Sequence, residues 1–279
     1  MAGRNVSKYW ISPAYEGLGL LSADLTNQNF PPHVHDSLVV AVTERGSACV
    51  KGRGDKFLAE PGAALVFNPE ESHSATIGSD MRWTYRAFYF RSSALERLQH
   101  TLQTSSRIYF TENAFDDREL TGALLSAHRS LENNTDRFAI EEGLAYAMGL
   151  LYSRHGEARP HLPPGSGNQP IVDKIIGLLE DRYSEPLHLD ALSDEVGLTH
   201  FQLIGLFKSV TGVTPYSMLT QIRLRRACRL LAGGTHISEV ALDTGFYDQS
   251  ALTNHFKRRF AITPAQFVRG RVRMAASGL

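Results

Sequence analysis

Three histidines offer the first chemistry in this sequence. His33 and His35 stand two apart in Pro31-Pro-His-Val-His-Asp36, and His73 closes Phe67-Asn-Pro-Glu-Glu-Ser-His73. In a strand, residues two apart share a face, so the first pair turns both imidazoles to one side, together with Ser37 and Val39. Imidazoles grouped in this way hydrogen-bond in a pocket, or they hold a divalent metal ion. The sequence reads first as a polar corner of a pocket with no resident cofactor. A metal site at His33, His35 and His73 is the alternative.

Charge marks a second region. Between Thr199 and Arg273 there are 11 Lys and Arg against three acids, while residues 1–169 carry 16 against 19. The formal net charge of zero averages these unlike parts, and an excess of one sign in one half points to nucleic acid. No phosphate-binding glycine loop, serine elbow or Cys-x-x-Cys pair is present, so an enzyme is not expected. Cys49 and Cys228 lie far apart, and no run approaches the ~20 apolar residues of a membrane span. Both features fit a cytoplasmic protein that makes no membrane contact.

The basic region contains an internal repeat. Leu203, Phe207-Lys208, Gly212-Val213 and Thr214-Pro215 are matched 49 residues later by Leu252, Phe256-Lys257, Ala261-Ile262 and Thr263-Pro264. Upstream, Ser193 and Gly197 are matched by Ala241 and Gly245. Each copy reads as helix, tight turn, helix. The small residue lets two helices approach, the glycine supplies a positive φ, and Thr199 or Asp248 stands as N-cap of the second helix. Between the copies, one long helix over 216–231 carries Arg223, Arg225, Arg226 and Arg229 and ends at Gly233-Gly234. Two such helices about 34 Å apart suit successive major grooves of double-stranded DNA, with the basic residues beside them on phosphates.

The elements that must position these groups follow from periodicity and punctuation. Leu38–Thr43, Ala63–Phe67 and Trp83–Phe90 are strand-like runs separated by turn residues, and residues from about 18 to 110 read as a small sandwich or barrel. Along the third run, either Tyr85 with Ala87 or Arg86 with Phe88 faces inward. Leu120, Leu124, Ala127 and Leu131, then Ile140, Leu144, Ala147 and Leu151, predict two helices joined by a short turn. This hairpin either covers the barrel or pairs with a second subunit. Residues 159–169 are rich in Pro and Gly and read as a linker. A further helix starts near Pro170 and runs to about Tyr183.

Residues from about 170 to 272 resemble the AraC/XylS-type DNA-binding domain. The most specific stretch runs from Ile237 to Lys257, with Thr263-Pro264 downstream. The resemblance implies seven helices, with recognition helices over 199–208 and 248–258. Base contacts then fall on His200, Phe201, Ile204 and Gly205 in the first and on Gln249, Ser250, Thr253 and Asn254 in the second, with Lys208, Arg225, Lys257 and Arg258 on phosphates. Gly205 cannot reach a base edge, whereas Asn254 can pair with adenine. Residues 18–110 resemble the cupin-like arm domain of the same family, through the histidine segments, Glu44-Arg-Gly46 and Pro61-Gly62. In that family the domain takes a small effector, for which His33, His35, Arg45, His73, Tyr85 and Arg86 are the candidate contacts, beside Phe88.

The expectation is an α+β chain in two domains. Residues 1–110 form the cupin-like sensor, 111–158 a dimerising hairpin, 159–169 the linker and 170–279 an all-α double helix-turn-helix. The chain is read as a homodimeric, ligand-responsive transcription regulator, an activator that works with RNA polymerase. A constitutive DNA binder with a scaffolding barrel is one alternative, and a metal-dependent cupin enzyme carrying a DNA-binding tail is the other.

Overall fold

The computed structural model describes residues 5–26, 28–53, 55–78, 82–102, 108–133, 136–157, 169–260 and 262–269. Most of the expected linker and residues 270–279, with Arg271 and Arg273, lie outside the described residues, as does Ala261 of the repeat. The chain falls into two compact units, one made of residues up to 162 and one of the residues after it, Thr199–Gln202 excepted.

The first unit is built on two antiparallel sheets. Its strands are β1 (Val6–Ile11), β2 (Leu18–Leu25), β3 (Asn29–His33), β4 (Leu38–Gly46), β5 (Ala48–Gly52), β6 (Asp55–Ala59), β7 (Ala63–Phe67), β8 (His73–Ile77), β9 (Trp83–Phe90) and β10 (Ala114–Asp116). The larger sheet has the order β1-β2-β9-β4-β7-β10 and the smaller β3-β8-β5-β6. Three helices complete the unit, α1 (Ser92–Thr101), α2 (Arg118–Glu132) and α3 (Arg137–His155). The strand-only reading of 18–110 missed α1. The boundary expected at 110 is also crossed, because β10 pairs with β7 inside the larger sheet.

The central strands of the larger sheet are buried on both faces, which explains why β4 reads as an almost unbroken apolar run. Leu38, Val40, Val42, Phe88 and Phe90 share a core with α1, α2 and α3. Val39, Ala41, Leu65, Tyr85 and Ala87 belong to a second core with Val50 and Ala75 of the smaller sheet. Burying each such Val, Leu or Phe contributes about 1.5–3 kcal/mol. The hairpin α2–α3 therefore covers the outer face of the larger sheet. Asp117 and Asp136 open its two helices by accepting from the backbone N–H of Leu120 and Phe138, as N-caps do.

The second unit is helical: α4 (Gln169–Asp181), α5 (Leu189–Val196), α6 (His200–Thr211), α7 (Pro215–Ala232), α8 (Ile237–Asp243) and α9 (Gln249–Phe260), followed by a last helix over 264–269. Among the described residues this unit thus has seven helices, the number that the resemblance implies. Pro215 takes the first turn of α7, and the helix stops at Gly233, followed by Gly234 with φ 91°. Leu224, Ala227, Leu231, Val240, Ala241, Phe246, Leu252 and Phe256 form one core.

Candidate ligand pocket and nucleic-acid interface

Between the two sheets of the first unit lies a cavity of about 280 Å³. Its walls are mostly apolar: Leu21, Val39, Ala41 and Leu65 from the larger sheet, Val50 and Ala75 from the smaller, and a ring of Phe30, Phe67, Trp83, Tyr85 and Tyr89. The three histidines form its polar corner. His33 and His73 face each other across the β3–β8 ladder, with ring centroids 4.4 Å apart, and His35 lies 4.9 Å and 5.2 Å from them. One ring nitrogen of each lies within 4.8 Å of the others.

These imidazoles are held firmly. His33 Nδ1 is 2.8 Å from the Pro31 carbonyl and His73 Nδ1 is 3.0 Å from that of Glu71. The Phe67 ring stacks on His73 at 4.0 Å. The loop before His73 is pinned by Glu71, whose carboxylate accepts from Arg53 at 2.8 Å, from Asn68 at 2.9 Å and from Asn113. Burial works to raise this carboxyl, but those hydrogen bonds outweigh it and hold Glu71 below the usual carboxylate range. Burial is also the main cause that lowers His35, with His33 adding to it, and that pushes His73 down to about 4. Both are therefore neutral at pH 7. The phenols go the other way: burial raises Tyr85 and takes Tyr89 to about 12, so both keep their O–H as donors. Trp83 Nε1 donates to Thr43 at 3.1 Å.

In the second unit the two turns are built alike. Gly197 and Gly245 have φ of 67° and 78°, a left-handed conformation that glycine adopts without cost. Thr199 and Gln202 cap α6 reciprocally, at 3.0 Å and 3.1 Å, and Asp248 caps α9 through the N–H of Ala251 at 2.7 Å. Ala241 is fully buried and lets α8 lie close to α9. On α9, Gln249, Ser250, Asn254, Lys257 and Arg258 are exposed and Thr253 is half-buried, while Leu252 and Phe256 point into the core. One face of the helix is thus polar and basic, and free to enter a groove.

The family model described as the AraC-like ligand binding domain matches residues 17–148, and a helix-turn-helix domain model matches residues 192–270. The chain belongs to the AraC family. Among its relatives is the uncharacterized HTH-type transcriptional regulator YbfI of Bacillus subtilis (strain 168), 28% identical over 80% of this chain and 81% of that protein. The HTH-type transcriptional activator RhaS of Enterobacter sp. (strain 638) is 22% identical over 87% of this chain and 88% of its own. A solved AraC-type DNA-binding regulator from Chromobacterium violaceum is 31% identical, covering 38% of this chain and 96% of that one at a TM-score of 0.35. This AraC-family chain is a ligand-responsive, DNA-binding transcription regulator.

Several expected site residues of the regulator stand elsewhere. His33, His35, His73 and Tyr85 line the cavity, but Arg45 and Arg86 do not. Arg45 is exposed at an irregularity in the β4–β9 ladder between Thr43 and Arg45. Arg86 lies on the opposite face of β9 from Tyr85. There it meets Glu44 at 3.1 Å and His128 at 3.1 Å, and also Glu132, because its charge finds carboxylates on the hairpin side and only apolar neighbours on the other. Phe88 goes with it. On α6, Ile204 is 0% exposed, so it offers no edge to a base, and burial is what large apolar side chains favour. His200, Gly205 and Lys208 are half-buried. On α7, Arg225 is exposed and lies 3.5 Å from Glu180. Arg223 is buried and donates to the carbonyls of Tyr183 and Glu185, at 2.7 Å and 3.1 Å, so it braces the unit instead of meeting phosphate. Sequence reasoning missed Phe30, Phe67, Trp83 and Tyr89 in the pocket. The period-two run of Trp83, Tyr85, Ala87 and Tyr89 was the signal for two of them.

Proposed function

We infer that this regulator is a transcription activator whose first unit takes a small, mainly apolar effector between its sheets and whose α9 reads the operator. The cavity carries the reading. Its five aromatic rings and aliphatic side chains include no Lys, Arg, Asp or Glu among the described lining residues. A polyhydroxylated sugar would find few partners there and leave hydroxyls unsatisfied. A compact aromatic or aliphatic molecule with one polar group at the histidine corner fits better. The activator role follows RhaS, as its name states, and the exposed polar face of α9 supports base contact by Gln249, Ser250 and Asn254. Binding as a homodimer in contact with RNA polymerase, in the cytoplasm, completes the reading.

The test begins with DNA fragments, including the region upstream of the chain's own coding sequence, compared with random DNA at two salt concentrations. Small aromatic and aliphatic acids, alcohols and sugars are then screened by thermal shift, and hits are added to the binding assay. The expected hit is apolar, raises the melting temperature and changes operator affinity. The variant Ala75→Phe, which fills the cavity from the smaller sheet, is expected to lose the response and keep operator binding. A response that survives this variant places the effector elsewhere.

A further inference from the structure

We propose that His33, His35 and His73 form a three-histidine site for a divalent transition-metal ion of the zinc type, at the polar corner of the cavity. The inference stands on the arrangement of the three rings and holds whatever the effector proves to be.

Geometry provides the first argument. The register of β3 against β8 sets His33 directly opposite His73, and His35, two residues beyond the end of β3, brings its ring to 4.9 Å and 5.2 Å from theirs. One ring nitrogen of each residue lies within 4.8 Å of the others. Around a tetrahedral Zn²⁺ with N at about 2.0–2.1 Å, ligand atoms lie about 3.4 Å apart. Closing the cluster onto an ion therefore brings the ligand atoms at most about 1.4 Å nearer to one another.

Tautomers supply the second. The Pro31 and Glu71 carbonyls can only accept, so Nδ1 of His33 and of His73 carries the proton. The nitrogen left with a lone pair is Nε2 in each ring. A backbone carbonyl on the far nitrogen is the usual outer support of a metal-bound histidine. Here the support is itself braced, because the Glu71 side chain is tied to Arg53, Asn68 and Asn113.

Charge gives the third. Imidazole ligands bring no negative charge, so an ion keeps its full double charge, and no carboxylate is among the described residues that line the cavity. The ion would keep at least one position for water or for an anionic oxygen of a molecule in the cavity. The aromatic walls then hold the apolar part of that molecule.

The experiment uses untagged full-length protein stripped with a chelator and titrated with Zn²⁺ and with Co²⁺. One equivalent per chain is expected by calorimetry and by elemental analysis after desalting, and Co²⁺ is expected to give the visible bands of a four-coordinate nitrogen-rich site. His35→Gln and His73→Gln are each expected to weaken Zn²⁺ binding by more than about 100-fold, beyond what loss of an outer support costs, while His236→Gln, at an exposed residue of the second unit, leaves it unchanged. His33→Gln, at a less buried ring, repeats the test should His73→Gln fail to fold, as judged from tryptophan fluorescence. Binding that is absent, or that none of the three substitutions weakens, overturns the proposal. Neither result touches the effector reading, which is scored on metal-free protein by the apolar hit and Ala75→Phe.

Discussion

Acidification should destabilise the first unit through His128, at a pH where carboxylates are still ionised. His128 is fully buried. Its Nε2 donates to the Leu21 carbonyl at 3.1 Å and its Nδ1 accepts from Arg86 at 3.1 Å, so a second proton would have to enter against a guanidinium. Burial and then Arg86 push its pKa from 6.5 down to about 4, although Glu132 works in the opposite direction. The unfolded chain therefore takes up a proton that the folded chain refuses, and stability falls as the pH drops from about 6.5 towards about 4. At 1.36 kcal/mol per pKa unit the whole effect is about 3 kcal/mol, of which about 2 kcal/mol is lost between pH 7.5 and pH 5. Both tryptophans, Trp10 and Trp83, lie in the first unit, so urea unfolding followed by their fluorescence reports on this unit alone. His73 adds a loss of its own over the same range. Glu132, held low despite its burial chiefly by Arg86, adds one only at more acid pH. The comparison is therefore with His128→Gln, which can accept and donate in place of the ring but does not titrate. Between pH 7.5 and pH 5 the wild type should lose about 2 kcal/mol more than the variant. Equal losses in the two proteins would refute the assignment.

Three further outcomes follow from the same geometry. Arg86→Leu leaves Glu44 and Glu132 without their shared partner, although Arg129 and Lys8 remain nearby; a loss of about 2 kcal/mol is expected in the tryptophan-monitored transition. Gly245→Ala places a Cβ 2.8 Å from the Tyr183 carbonyl at a φ of 78°, so thermal unfolding followed by helical circular dichroism should show the second unit weakened by about 2 kcal/mol. Arg258→Ala should weaken binding to specific and random DNA alike and lower the salt slope by about 1, whereas Asn254→Ala should cost about 1–3 kcal/mol on the operator alone; equal losses on both DNAs would reverse these roles.

The helix-turn-helix half was legible in the sequence because its determinants are local. Gly197 and Gly245, the caps Thr199 and Asp248, and Thr214-Pro215 act within a few residues of themselves, and each took its expected conformation. Strands β4, β7 and β9 were legible for the same reason. What failed depended on what lies across space. The alternation in β9 separates Tyr85 from Arg86 but does not say which face meets the cavity, since both faces are buried. The carboxylates that settle Arg86 come from β4 and α2, 42 and 46 residues away. On α6, spacing put Ile204 between the inward positions, yet helical period does not say which of the remaining side chains the fold buries. Strand β1 escaped notice because it is an edge strand, mostly exposed, with no apolar alternation to mark it.

The two walls of the cavity differ in how freely they can change over evolutionary time. In β4 and β9 each cavity-facing residue sits between neighbours that are locked into the helix-side core, such as Val40, Val42, Phe88 and Phe90. A slip of one residue would exchange the two sets and ruin both. The smaller sheet has Cys49, Lys51, Lys56 and Leu58 turned to solvent, so substitutions at Val50 or Ala75 disturb a single neighbourhood. Divergence to a new effector should therefore accumulate in β3, β5 and β8 while β4 and β9 stay constant. Libraries built to retune the specificity of this regulator belong on the solvent-backed wall.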